Sequence, residues 1–172
     1  MADEAWMEGT IEGVSLLLMP AAHALVQAVR DIAQAADGLT IEEVWVKPNG
    51  AASVGFHLRH VAGSVDRLLT YARGESLTLE QFAELAAEGD VDVSQVTPLV
   101  VATTARIDEA LTMIKAIPDS MLFDSRTVGR ERLPTNVFGL LFHIAEHTMR
   151  HAGQIVTTAR IVRVQKASAK ET

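Results

Sequence analysis

Phe142-His143-Ile144-Ala145-Glu146-His147-Thr148-Met149-Arg150-His151-Ala152-Gly153-Gln154-Ile155 is the stretch that decides how this chain folds. Its three histidines stand four residues apart, and a helix turning about 100° per residue stacks such positions one turn above another on nearly the same face. The apolar residues follow the same period. Leu140, Leu141, Ile144, Ala152 and Ile155 form one stripe, with Glu146, Arg150, Gly153, Thr157 and Arg160 opposite. His147 and His151 fall on the stripe side and point inward; His143 falls at its margin. Two imidazoles one turn apart can each offer a ring nitrogen to one metal ion, which then needs further ligands from elsewhere in the fold. A lone interior histidine is ordinarily a hydrogen-bonded core residue, but burying several without a shared partner is costly, so the pair favours metal.

Outward from that stretch, helical periodicity dominates the chain. A first helix reads from Gly9 to Ala36, kinked or divided at Pro20 and stopped at Asp37-Gly38. Thr40-Ile41-Glu42-Glu43 reads as a single turn before the Lys47-Pro48-Asn49-Gly50 loop. The second long helix starts at the N-cap Ser53 and ends at Arg73-Gly74, with Val54, Leu58, Val61, Val65, Leu68, Leu69 and Ala72 at helical spacing. A short segment, Leu79 to Glu88, opens with Thr78 and Gln81 in capping-box positions. The next long helix starts at Thr97-Pro98 and runs to Ile117-Pro118. Asp119 to Leu133 reads as a loop turning at Gly129, a short β-hairpin within Asp124–Arg132 being the alternative. The last helix begins near Pro134-Thr135 and reaches Val164, leaving 166–172 as a frayed tail. Four long amphipathic helices and no convincing strand indicate an all-α four-helix bundle, one domain over residues 1–172.

The totals narrow the function. A net charge of −7 and a pI near 5.3 argue against nucleic acid and against an anionic membrane surface, because both need a basic footprint. The absence of cysteine removes disulfides, thiolate ligands and cysteine nucleophiles, so any metal must take nitrogen or oxygen ligands. The early apolar run from Val14 to Pro20 is too short to span a bilayer, and no leader pattern opens the chain, which makes the expected location cytoplasmic. Nucleophilic-serine, phosphate-loop, dinucleotide and H-E-x-x-H motifs are all missing.

A second pair, His57 and His60 in Gly55-Phe56-His57-Leu58-Arg59-His60-Val61-Ala62-Gly63-Ser64, can supply the third ligand. The stripe of Val54, Val61, Val65 and Leu68 sets His57 closer to the interior than His60, so periodicity alone selects His57. The other histidine would then orient a ligand or cap the rim. Asp66 and Glu146 are candidate hydrogen-bond acceptors for a ligand imidazole, although both fall on polar faces that suit plain surface carboxylates. Gln154 lies on the histidine side, between pocket lining and core edge. His23 reads as a rim histidine, Tyr71 as a polar-tipped core residue, and Trp6 and Trp45 as packing residues.

Three stretches carry a resemblance: Val54 to Ser64, its continuation Asp66-Arg67-Leu68-Leu69, and His147-Thr148-Met149-Arg150-His151-Ala152-Gly153-Gln154-Ile155. A histidine before a small-hydrophobic stretch, followed roughly ninety residues later by H-x-x-x-H-x-G-Q-I, resembles the DinB-like (DinB/YfiT) family of helical metalloproteins, and the similarity follows element order along nearly the whole chain. The resemblance implies a four-helix bundle in up-down-down-up order and a divalent metal held by three histidines. The family position on the second helix matches His60 rather than His57, against the periodicity; the other two match His147 and His151. The metal implied is zinc or nickel, with iron or copper as alternatives.

The resemblance further implies enzymes that use small thiols such as bacillithiol, mycothiol or glutathione. The function expected is therefore a metal-dependent small-thiol S-transferase in detoxification or stress response. The competing reading is a metal- or small-molecule-binding stress protein without turnover, since no clear general acid or base accompanies the ligands. A purely structural bundle would require the histidines to be incidental. A homodimer is expected, with the alanine-rich segment Ala83, Ala86 and Ala87 allowing close approach.

Overall fold

The computed structural model describes residues 4–91 and 95–170. Among these residues six α-helices follow in chain order: α1 (Met19–Ala36), α2 (Ile41–Val44), α3 (Val54–Ala72), α4 (Leu79–Ala87), α5 (Val96–Ala116) and α6 (Val137–Lys170). Between α5 and α6 lies an antiparallel pair, β1 (Ser125–Val128) and β2 (Leu133–Asn136), in register Ser125 to Asn136 and Val128 to Leu133. The protein is thus mostly helical, with one small hairpin. Among the described residues no helix is long and apolar enough to cross a membrane.

Each long helix packs on two others. α6 lies between α1 and α3, and α5 touches the remaining sides of both. The core they enclose is aliphatic: Leu25 and Ile32 from α1, Leu58 and Val61 from α3, Ile107 and Ile114 from α5, Leu141, Ile144 and Ile155 from α6. Polar contacts fix the registers. Arg163 donates to the Ala35 and Asp37 carbonyls, Thr103 Oγ1 donates to the Leu58 carbonyl, and Arg106 pairs with Asp66.

Several helix boundaries differ from the sequence expectation, each for a local reason. α1 begins at Met19, ten residues after Gly9, and Pro20 occupies its first turn, where a missing N–H costs nothing. The preceding segment cannot be helical because Gly9 and Gly13 adopt positive φ of 92° and 79°. α6 begins at Val137 rather than at Pro134-Thr135, which belong to β2; Asn136 Oδ1 caps it by accepting from Gly139 N–H at 2.7 Å. The segment expected to fray is helical to Lys170, where Lys166 pairs with Glu43; Glu171 and Thr172 lie outside the described residues. The capping box of Thr78 with Gln81 forms as the sequence indicates, and the structure adds a second, Thr40 with Glu43, at the start of α2.

Candidate metal centre

Ser53 starts α3 by accepting from Phe56 N–H through its hydroxyl, which sets His57 and His60 on the first two turns of that helix. Across the groove, α6 carries His147 and His151 one turn apart. The geometry brings together His60, His147 and His151, with one ring nitrogen from each lying within 4.8 Å of the others. The Nε2 atoms of His60 and His147 are 3.4 Å apart. A tetrahedral ion with Zn–N bonds of about 2.0–2.1 Å has ligand–ligand edges of about 3.3–3.4 Å. The spacing and the all-nitrogen donor set therefore suit a divalent ion.

His57 sits outside this trio. It is the more deeply buried of the α3 pair, as the periodicity indicates, yet its Nδ1 meets His151 Nδ1 at 3.0 Å. Burial and direction are separate properties: His60 keeps a partly exposed ring at the groove and still aims Nε2 at α6. Gly55 lets Trp45 lie against the helix, since a Cβ there would stand 2.8 Å from the indole.

The electrostatics leave the α6 pair neutral. His147 is lowered to about 4 and His151 to about 3, first by burial and then by the neighbouring imidazoles and Arg150. Burial, aided by His60, also lowers His57. At neutral pH each imidazole of the α6 pair is therefore uncharged and keeps one ring nitrogen free of a proton.

The nitrogen of each ring that faces away from the cluster has a partner. His60 Nδ1 reaches Glu88 Oε2 at 2.7 Å, His147 Nδ1 lies 3.4 Å from Ser64 Oγ, and His151 Nδ1 meets His57. Ser64 donates its own hydroxyl to the Val61 carbonyl, so its oxygen faces His147 as an acceptor. Sequence reasoning missed Glu88. It is buried at the C-terminal cap of α4 and accepts from Arg67 at 2.8 Å. Burial pushes its carboxyl up, but the bonds from His60 and Arg67 outweigh that and hold it below the ordinary carboxylate value.

Other candidates lie off the cluster. Asp66 bonds Gln81 and pairs with Arg106; Glu146 binds His143 and Arg150 on the surface, as plain surface carboxylates do. Gln154 is exposed. Trp6 is 62% exposed with its indole N–H on Glu4, so it is not a packing residue, whereas Trp45 packs against the core. His23, on α1, bonds the Gly9 carbonyl at 2.8 Å and is not among the three converging histidines.

A helical fold with three histidines converging between two long helices defines a class of candidate metalloprotein. The sequence profile of the DinB superfamily matches residues 24–155, and the chain belongs to that superfamily. Its fold is similar to a crystal structure of a conserved protein from Enterococcus faecalis, with a TM-score of 0.68 over 84% of this chain and 96% of that one, at 18% identity. No protein of curated function matches the sequence.

Proposed function

We propose that this chain is a cytoplasmic, divalent-metal-dependent enzyme, a small-thiol S-transferase of detoxification or stress response, with His60, His147 and His151 as ligands. The observation that carries the reading is the convergence of three imidazole nitrogens within 4.8 Å between α3 and α6. An ion held by three side chains keeps open positions, at which it lowers the pKa of a bound thiol or water. The chain's own part is positioning. Ser64 and His57 hold the outer nitrogens of the α6 pair, and the Phe56 ring stacks on His60 with centroids 5.5 Å apart. The chain has no cysteine, so the thiol is a substrate from outside. Zinc and nickel suit three imidazoles, with iron and copper as alternatives.

The reading includes a single domain over residues 1–172 built as an up-down-down-up four-helix bundle. Its support is the order of cross-helix pairs. Ala35 meets Arg163 while Pro20 lies near Met149, the sense of parallel α1 and α6. His57 meets His151 while Ser64 meets His147, the antiparallel sense for α3 and α6. Leu58 meets Thr103 while Asp66 meets Arg106, the parallel sense for α3 and α5.

The test compares metal-loaded and chelated protein, using glutathione, bacillithiol and mycothiol against a panel of electrophiles. Thiol consumption above background is expected only with metal, and it is expected to disappear in His147→Ala at unchanged helical circular dichroism. Metal binding with no rate for any of the three thiols overturns the transferase in favour of a non-catalytic metal- or small-molecule-binding protein. That second reading is favoured by one observation: Glu88, the carboxylate bonded to the cluster, is already engaged by His60 and Arg67.

A further inference from the structure

An imidazole presents a lone pair from Nε2 only when its proton sits on Nδ1, and a group that can only accept enforces that arrangement. Behind His60 stands such a group. Glu88 Oε2 lies 2.7 Å from Nδ1, and its other oxygen accepts from Arg67 Nη2 at 2.8 Å. Arg67 is permanently charged, so it favours the ionised, acceptor-only carboxylate. The pair is a built feature. Glu88 and Arg67 are 6% and 8% exposed, and Arg67 Nη1 is buried without a hydrogen-bond partner. Room for it comes from Gly63, where a Cβ would stand 2.7 Å from Arg67 Nη1 and 2.9 Å from Glu88 Oε1.

We propose that Glu88, held by Arg67 in the space left at Gly63, is the positioning residue of the centre, fixing His60 as the Nδ1–H tautomer with Nε2 turned to His147 and His151. The inference rests on the metal-centre reading for its purpose, but the tautomer itself is a property of the metal-free protein. Outer partners of this kind typically contribute 10- to 100-fold in metal affinity.

The substitution Glu88→Gln separates positioning from packing. Beside the Arg67 cation, the amide turns its oxygen to Arg67 and its NH2 to His60, which forces Nδ1 to accept and moves the proton to Nε2. Adding Arg67→Met frees the amide oxygen to return to His60. Zinc affinity is measured by competition with a chromophoric chelator, and the tautomer by long-range 1H–15N NMR on metal-free protein. The expected results are Nδ1–H in the wild type, a 10- to 100-fold loss of zinc affinity with a shift toward Nε2–H in Glu88→Gln, and recovery to within about tenfold of wild type in Glu88→Gln/Arg67→Met. The double variant also removes the uncompensated buried charge, so it keeps the test available if the single variant does not fold. Nε2–H in the wild type, undiminished zinc affinity in Glu88→Gln, or a double variant that folds but stays as weak as the expected single-variant loss overturns the proposal. A wild type that binds no zinc overturns the metal reading instead, and the wild-type tautomer still decides the orientation of His60.

Discussion

At the scale of single residues, the two α3 histidines separate burial from ligation. Periodicity ranks His57 as the inner residue, and it is; His60 nonetheless turns its nitrogen to the α6 pair. His60→Ala or His151→Ala is expected to reduce zinc binding below detection at micromolar metal, whereas His57→Ala costs on the order of tenfold through the lost partner of His151. Elemental analysis and chelator competition measure this, and equal losses at His57 and His60 would count both as ligands. The lowered values of His147 and His151 give a pH dependence. In the unfolded chain both imidazoles protonate near 6.5, but in the folded protein only near 4 and 3. Between those values the unfolded state binds more protons, so this contribution to stability is complete above the unfolded value and is lost as pH falls through the window. NMR titration of the metal-free protein is expected to find neither residue protonating above about pH 5; a midpoint near 6.5 for either would contradict the burial argument. Glu88 was illegible at this scale because no spacing rule links a cap on a short helix to a histidine on another. Their meeting is purely tertiary.

Helices were legible where local chemistry and periodicity agree, and illegible where one of them misled. Ser53 and Thr78 cap as expected, so α3 and α4 start where the sequence says, and Thr40 caps the short turn read at α2. The apolar run before Pro20 imitates a helix, and only the backbone of Gly9 and Gly13 reveals an irregular entry. The hairpin stood only as the alternative to a loop, and its second strand fell beyond Arg132, because four-residue strands carry too little pattern to compete with the adjoining helix. Its pairing consumes Pro134 and Thr135 and hands the capping role to Asn136. A consequence for the site falls on α4. Buried Gln81 ties that helix to α3 by donating to Asp66 and Thr70, and α4 ends at Glu88. Gln81→Leu is expected to cost about 1–3 kcal/mol, to speed amide exchange across α4 and to weaken zinc binding through Glu88. Unchanged exchange in α4 with weakened zinc would show that the helix is held by other contacts.

For the whole molecule, two quantities follow from how the helices meet. Of the alanines expected at a dimer contact, Ala83 and Ala86 are exposed and Ala87 is half-buried; with Leu79 and Phe82 they leave an apolar face of α4 exposed, and we propose that it pairs with a second copy. Light scattering is expected to give twice the 18.6 kDa chain mass, reverting to monomer in Phe82→Glu; a wild-type monomer at micromolar concentration would remove the proposal. The second quantity couples the site to folding. His60 and His147 are 87 residues apart in sequence, so the trio exists only when α3 and α6 are docked, and an unfolded chain offers no equivalent site. A ligand that binds only the folded state stabilises it by about 2.7 kcal/mol at a free concentration of 100 times Kd. For a chain of this size each kcal/mol raises Tm by about 2–4 °C, so zinc at that excess is expected to raise Tm by about 5–10 °C. Ordinary ion binding to the acidic surface would survive loss of one imidazole, because it depends on net charge rather than on geometry. His151→Ala, which leaves the charge at neutral pH unchanged, is therefore expected to abolish most of the shift. Calorimetry showing an equal shift in His151→Ala would assign zinc to the surface and not to the groove between α3 and α6.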